Sequence, residues 1–323
     1  MRLGRGGPPS GVEPLPKRDR PSSPSQVPVE RLRLTVMRRI DGLLAGDHGG
    51  LFPGHGTEMG EARPYVPGDD PRRMDWAVTA RHDEPHVRET IADHELDVWL
   101  VLDTSASLAF GTGLATKFEI AWSALGAMAL LASGGGNRVG AVGTHPQEGV
   151  GRPLMIPARG GAGHVATILA ALRPEPVDGQ VGDMSSALGV VRRLARRRGM
   201  VVVASDFLGE SGWERPLRAL GRTHEVIAIE VVDPRELSIP DVGLIAVVDP
   251  ETGNRRLLDT TRRSVRDTYR SLALERRAAV AASLKSAGAD HLTLSTDGDW
   301  VIDFVRFVSS RKSRLVSARR PRP

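Results

Sequence analysis

Apolar residues are distributed along this chain in short unbroken runs and in longer periodic segments. Residues 98–102 and 200–204 are runs without polar alternation, which is typical of strands buried on both faces of a parallel sheet. Residues 116–133, 184–197 and 261–287 are longer, and their apolar positions have the spacing of helices. Strands alternating with helices over about 215 residues predict a doubly wound, mainly parallel α/β sheet.

The composition of the flanking segments divides the chain into four parts. Residues 1–28 are rich in Pro, Gly and Ser and are predicted to be a disordered arm. Residues 29–95 begin with an amphipathic helix and continue as a highly charged segment, which we expect to attach to the next part. Residues 96–310 form the predicted α/β domain. Residues 311–323 are predicted to be a basic, disordered tail.

Composition and charge exclude several classes of function. The chain has no cysteine, which removes disulfides, thiolate metal sites and cysteine nucleophiles. No segment reaches the roughly 20 apolar residues of a membrane span, and no signal peptide is evident, so we expect a cytoplasmic protein. The formal net charge of +5 and the basic ends allow contact with nucleic acid. Aromatic residues make up only 4% of the chain and offer few stacking surfaces, so nucleic acid is the least favoured partner.

Two acidic residues directly follow the two apolar strands. Asp103 ends the first, with Ser105 and Ser107 just beyond it, and Asp206 follows the second. Ligands bind beyond the carboxyl ends of strands in open α/β sheets, and these side chains carry the oxygen donors that Mg²⁺ prefers. Two converging carboxylates also favour a bound cation, because their mutual repulsion is costly. The alternative is that both acids only cap the turns into the following helices.

Two motifs resemble those of known families. Residues 103–107 read D-T-S-A-S and resemble the D-x-S-x-S signature that opens the metal-ion-dependent adhesion site of von Willebrand factor A-type domains. Residues 65–76 read Y-V-P-G-D-D-P-R-R-M-D-W. They resemble the signature of a bacterial family, domain of unknown function 58, whose members carry an A-type domain and usually occur with MoxR-type AAA+ ATPases. The resemblance covers residues 51–311 and implies a doubly wound sheet of von Willebrand factor A type.

The resemblance also implies a site for Mg²⁺ or Mn²⁺. The predicted metal ligands are Asp103, Ser105, Ser107, Asp206 and Asp183. A-type domains take a further threonine from a second loop, and in this chain Gly182 stands in its place. Glycine supplies no side-chain oxygen, so Asp183, Ser185 or a water molecule would have to substitute.

The charged stretch at residues 67–81 has two interpretations. Its carboxylates and guanidinium groups alternate closely and are able to form bidentate pairs, including one between Asp75 and Arg81. One interpretation is a polar clasp that attaches the N-terminal segment to the α/β domain. The other is a surface that recognises a partner. The residues concerned are Asp69, Asp70, Arg72, Asp75, Trp76 and Arg81.

The predicted function is a non-enzymatic protein-binding module in which a partner's acidic side chain completes the metal site. The resemblance implies that the partners are a MoxR-type AAA+ ATPase and client proteins. The alternative is a metal-assisted, phosphatase-like hydrolase that uses Asp103 and Asp206. Phosphoryl transfer normally adds a further acid or base and a cation on the transferred group. Ser105 stands where such an enzyme needs its second acid, and the sequence indicates no lysine nearby.

Overall fold

A computed structural model describes residues 62–66, 71, 74–82, 84–88, 96–113, 115–146, 153–173, 181–209, 212–249 and 252–319. The strands in these residues are β1 (Ala62–Pro64), β2 (His86–Arg88), β3 (Asp97–Leu102), β4 (Arg138–Pro146), β5 (Pro153–Arg159), β6 (Met200–Ser205), β7 (Glu225–Val232), β8 (Leu244–Val248), β9 (Arg255–Asp259) and β10 (Asp290–Ser295). The helices are α1 (Trp76–His82), α2 (Lys117–Gly134), α3 (Ala162–Ala171), α4 (Met184–Leu194), α5 (Glu214–Gly221), α6 (Pro234–Leu237), α7 (Arg263–Ser286) and α8 (Trp300–Arg319).

Six strands form the central sheet in the spatial order β10-β7-β6-β3-β4-β5. Neighbouring strands are parallel except for β4 and β5, which pair antiparallel at one edge. The chain starts this sheet at β3, builds outward through β4 and β5, and returns to the other side of β3 at β6. The predicted doubly wound, mainly parallel sheet is confirmed. Its change of direction lies between β3 and β6.

Both faces of the sheet are covered, which explains why the strand sequences lack alternation. Along β3, Val98 and Leu100 pack into one core with α2, α3 and α8, whereas Trp99 and Val101 pack into a second core with α4, α5 and α7. A strand that needs apolar side chains on both faces reads as a continuous apolar run. Helix α2 begins at a capping box in which Thr116 and Glu119 accept each other's backbone N–H groups.

Two short antiparallel pairs lie outside the central sheet. Strands β8 and β9 pair with each other as a hairpin. Strands β1 and β2 form the second pair. The predicted arm at residues 1–28 and the helix predicted at the start of residues 29–95 lie outside the described residues. Among the helices that are described, none is long and apolar enough to cross a membrane.

The C-terminal boundary of the α/β domain differs from the prediction. Helix α8 does not end at residue 310 but continues to Arg319. Arg311, assigned to a disordered tail, is 3% exposed and pairs with Glu225 and Asp290 at the start of β7 and β10. The tail prediction relied on the density of basic residues, and this arginine is instead held in the folded domain by two carboxylates.

Candidate functional site

The two predicted acids lie at the same edge of the sheet. Strands β3 and β6 are neighbours, with Leu102 opposite Ala204, and Asp103 donates its backbone N–H to the Ala204 carbonyl at 2.9 Å. Asp206 directly follows the last residue of β6. The side chains are buried, since Asp103 is 5% and Asp206 1% exposed. This edge is the topological switch point, where doubly wound sheets bind their ligands.

Three protein donors already hold the carboxylate of Asp103. One oxygen accepts the Thr144 hydroxyl at 3.1 Å and the Ser105 backbone N–H at 3.0 Å. The other accepts the Ser205 hydroxyl at 2.6 Å. Both hydroxyls also accept a backbone N–H, so each has its own proton to give to the carboxylate. Asp103 is therefore satisfied as an acceptor by its own fold.

The two serines of the motif stand side by side. The Oγ atoms of Ser105 and Ser107 are 3.1 Å apart. Ser105 is buried and Ser107 is half-buried, at the start of a single 3₁₀ turn over Ala106–Ala109. Ser107 is the residue of the motif that is not buried.

The second loop reaches the site at Gly182, which has no side-chain oxygen. A Cβ atom at Gly182 would lie 2.7 Å from Thr144 Oγ1 and 2.8 Å from Asp103 Oδ1, so the backbone approaches the carboxylate directly. Asp183 is exposed, and its carboxylate accepts the Ser186 N–H at 2.8 Å as the N-cap of α4. Asp183 is thus engaged in starting a helix.

A lysine occupies the position next to Asp206. The Nζ atom of Lys117 lies 2.7 Å from Asp206 Oδ2 and 2.5 Å from Glu236 Oε1. Lys117 is the first residue of α2 and is completely buried, and Glu236 belongs to α6. The other oxygen of Asp206 accepts the Leu208 N–H at 3.0 Å. The expectation that no lysine lies near the two aspartates is wrong.

The charges at this edge shift the pKa values of the groups that carry them. Burial raises the pKa of Asp103, and the Asp206 carboxylate raises it further. Burial lowers the pKa of Lys117, but the carboxylates of Asp206 and Glu236 outweigh burial, so the net pKa is raised. Burial also raises the pKa of Glu236, although Lys117 opposes this shift. Lys117 therefore stays an ammonium ion at neutral pH.

Sequence reasoning missed Lys117, Thr144, Ser205 and Glu236. One signal was available for Lys117. Helix α2 is apolar around its whole circumference, which indicates that it is buried on all sides, and a lysine in such a helix needs a carboxylate partner. Thr144 lies at the end of β4 and carries no comparable local signal. Its role arises only because β4 pairs with β3.

Comparison with protein families identifies the family of this chain. The pattern of the family described as "Protein of unknown function DUF58" matches residues 61–279. The chain belongs to the DUF58 family. This confirms the family resemblance drawn from residues 65–76.

Two mycobacterial proteins are close relatives of this DUF58 chain. "Uncharacterized protein Rv1480" of Mycobacterium tuberculosis (strain H37Rv) is 49% identical over 283 residues, which cover 87% of this chain and 88% of the relative. "Uncharacterized protein Mb1516" of Mycobacterium bovis matches with the same identity and coverage.

Solved structures show a more distant likeness. BatB from Bacteroides thetaiotaomicron is 14% identical with a TM-score of 0.44, and the match covers 69% of this chain and 99% of that one. An aerotolerance-related membrane protein from Bacteroides fragilis is 13% identical with a TM-score of 0.42, covering 68% and 99%. The SpRpn10 VWA domain is 10% identical with a TM-score of 0.36, covering 65% and 94%. Likeness at this level says nothing about what this DUF58 member binds.

The donors at this edge of the sheet meet the needs of a divalent cation only in part. The hydroxyls of Ser105 and Ser107 are spaced like two adjacent ligands of Mg²⁺. The other donors do not match, because Gly182 leaves no room for a third hydroxyl and Asp206 is paired with an ammonium group. The residues present therefore do not fit a divalent ion held between the two aspartates. The binding of Mg²⁺ or Mn²⁺ stays a prediction from the resemblance.

The DUF58 signature segment is only partly described. Asp69, Asp70 and Arg72 lie outside the described residues. Asp75 is 8% exposed, and one of its oxygens accepts two backbone N–H groups of the first turn of α1. Trp76 is 69% exposed, and Arg81 is also exposed. Asp75 thus starts a helix that presents Trp76 to solvent, and the choice between clasp and partner surface stays a prediction.

Proposed function

We propose that this DUF58 member is a non-enzymatic protein-binding module that works with a MoxR-type AAA+ ATPase on client proteins. One observation carries the proposal: the β8–β9 hairpin presents an apolar face to solvent. Contiguous exposed apolar surface is a mark of protein–protein interaction sites. The ATPase as partner follows from the sequence resemblance.

The outward face of the hairpin consists of residues that alternate along its strands. Leu244, Ala246 and Val248 share one face of β8, and Leu257 lies opposite Ala246 on the same face. Leu244 is 67% exposed and Leu257 69%. On the other face, Ile245 and its partner Leu258 are only half-exposed. The face with Ile245 and Leu258 is therefore partly covered, and the face with Leu244 and Leu257 is the more exposed of the two.

The basic residues of the hairpin indicate which kind of partner surface would bind its outward face. Arg255 lies opposite Val248 on the outward face, and Arg256 follows it on the same strand. Both are exposed. The matching surface on the ATPase is apolar at its centre and has carboxylates at its rim, because opposite charges fix the register of such contacts.

The test substitutes one residue of the outward face. Leu257→Asp places a charge in an otherwise apolar contact, and we expect at least a roughly tenfold loss of affinity for the MoxR-type ATPase of the same genome. Binding is measured by titration calorimetry with both proteins purified. Leu272→Asp is the matched control, because Leu272 is 61% exposed and belongs to α7 and not to the hairpin. Unchanged affinity of the Leu257 variant, or equal losses in both variants, would contradict the proposal.

The alternative, a phosphatase-like hydrolase, predicts turnover of a phosphate ester. Lys117 is buried and paired with two carboxylates, so it is not placed to contact a transferred phosphoryl group. We expect no turnover of p-nitrophenyl phosphate in excess MgCl₂ above that of the Asp103→Ala variant. Turnover by the native chain that this substitution removes would establish an enzyme and refute the binding module.

A further inference from the structure

We propose that the ammonium group of Lys117 is the resident cation of the switch-point edge, taking the place of the divalent ion that this motif otherwise binds. The proposal concerns the chemistry of the edge and does not depend on what the hairpin binds. Its consequence is that the edge is complete without Mg²⁺ or Mn²⁺.

The first argument is the position of the charge. The Lys117 ammonium contacts Asp206 at 2.7 Å and Glu236 at 2.5 Å, and the side chain is inaccessible to solvent. A carboxylate as buried as that of Asp206 needs a compensating charge. The ammonium supplies this charge from within the chain, and no ion has to enter from solution.

The second argument is what holds the lysine in place. Thr116 caps α2, and the backbone N–H of Lys117 donates to the Phe110 carbonyl at 2.9 Å. Glu236 is held in turn, because it closes the capping box of α6 with Asp233. The ammonium group therefore lies at the fixed start of α2. Its two partners are Asp206, at the end of β6, and Glu236, in α6. Helix caps and backbone hydrogen bonds thus position these ion pairs, which distinguishes them from ion pairs at a protein surface.

The third argument is that a divalent ion and this ammonium compete for the same carboxylate. A metal ion bound between Asp103 and Asp206 would lie close to the ammonium group of Lys117 among buried side chains, where like charges repel strongly. It would also have to share the carboxylate of Asp103 with three protein donors. The missing hydroxyl at Gly182 removes the ligand that could have offset this cost.

The native chain provides the first test. We expect the melting temperature in excess MgCl₂ and in excess EDTA to agree within about 1 °C, because a cation that does not bind the native state cannot stabilise it. Titration with Mn²⁺, followed by the electron paramagnetic resonance signal of the free ion, is expected to show no stoichiometric binding. Stoichiometric binding that Asp206→Asn abolishes would overturn the proposal.

Variants of the lysine provide the second test. Lys117→Met removes the charge with little change in shape, and we expect a melting temperature about 10 °C below that of the native chain. Adding Asp206→Asn should recover part of this loss, because it removes the carboxylate left without its cation. Lys285→Met is the control, since Lys285 is exposed on α7. The proposal is overturned if Lys117→Met is no worse than this control, or if the second substitution recovers nothing.

Failure to fold would not leave the question open. If Lys117→Met does not fold and the double variant does, that recovery is itself the expected result. If neither folds, the Mn²⁺ titration of the native chain decides alone.

Discussion

Replacing Asp233 with alanine is expected to lower the free energy of unfolding by about 3 kcal/mol, because it removes the acceptor of four hydrogen bonds at once, one of them from the buried hydroxyl of Thr296. The Asp233 carboxylate accepts the Thr112 N–H and hydroxyl at 2.7 Å each, the Thr296 hydroxyl at 2.6 Å and the Arg235 N–H at 2.8 Å. Its side chain joins the loops that follow β3, β7 and β10. Chemical denaturation of the native chain and of the variant measures the loss.

The control for this prediction is a neighbouring acid. Asp297 is exposed and accepts only a local serine hydroxyl among its described contacts, so Asp297→Ala should change the stability by no more than about 0.5 kcal/mol. A loss in Asp233→Ala as small as in this control would show that the four hydrogen bonds do not hold the loops together.

The same carboxylate predicts a dependence on pH. Burial raises the pKa of Asp233, but the hydrogen bonds from Thr296, Thr112 and Arg235 outweigh burial and hold it below its ordinary value of 3.8. An acid with a lowered pKa adds stability above its ordinary pKa and loses it as the pH falls through the lowered value. The stability difference between the native chain and Asp233→Asn should therefore be constant at neutral pH and shrink below pH 3.8. A difference that does not change in acid would contradict this assignment.

Replacing Arg311 with methionine is the second large expected effect, with a loss of about 2–3 kcal/mol in the free energy of unfolding. The guanidinium lies 2.5 Å from Glu225 and 2.8 Å from Asp290, and its own side chain is 3% exposed. Both carboxylates are partly exposed, which keeps the loss near the lower end for a broken buried pair. Methionine retains the aliphatic contacts, so the loss reports on the ion pairs.

A second arginine on the same helix serves as the control. Arg306 is 77% exposed and pairs only loosely with Asp303, at 3.6 Å, so Arg306→Met should cost about 0.5 kcal/mol or less. A chain that stops after residue 310 should be destabilised at least as much as Arg311→Met, and one that stops after residue 319 should not. Equal stability of these two truncated chains would show that the α/β domain ends at residue 310, as the sequence predicts.

Local patterning was sufficient to predict the α/β domain. The apolar runs at residues 98–102 and 200–204 are buried on both faces, as their lack of alternation indicates. The acids after them therefore had to lie at the carboxyl edge of a parallel sheet. The prediction failed at residue 311, because basic composition describes the average behaviour of a segment and not the partner that one arginine finds.

The candidate site was predictable only in part. Asp103, Ser105 and Ser107 are adjacent in the chain, and strand pairing brings Asp206 beside them. Asp183 was assigned by its position in a loop, and in the structure it caps α4 instead. The sequence predicts a helix from residue 184, but it did not show that the Asp183 carboxylate caps this helix.

The amino-acid sequence by itself determined the α/β class, the elements of the sheet and the acids that end its two central strands, because these depend on neighbouring residues. The tertiary structure alone decided what those acids contact. Thr144 is 41 residues from Asp103, and Lys117 is 89 residues from Asp206 and 119 from Glu236. Contacts over such separations follow from the order of the strands in the sheet, and that order brings an ammonium group to the edge where the motif alone predicts a metal ion.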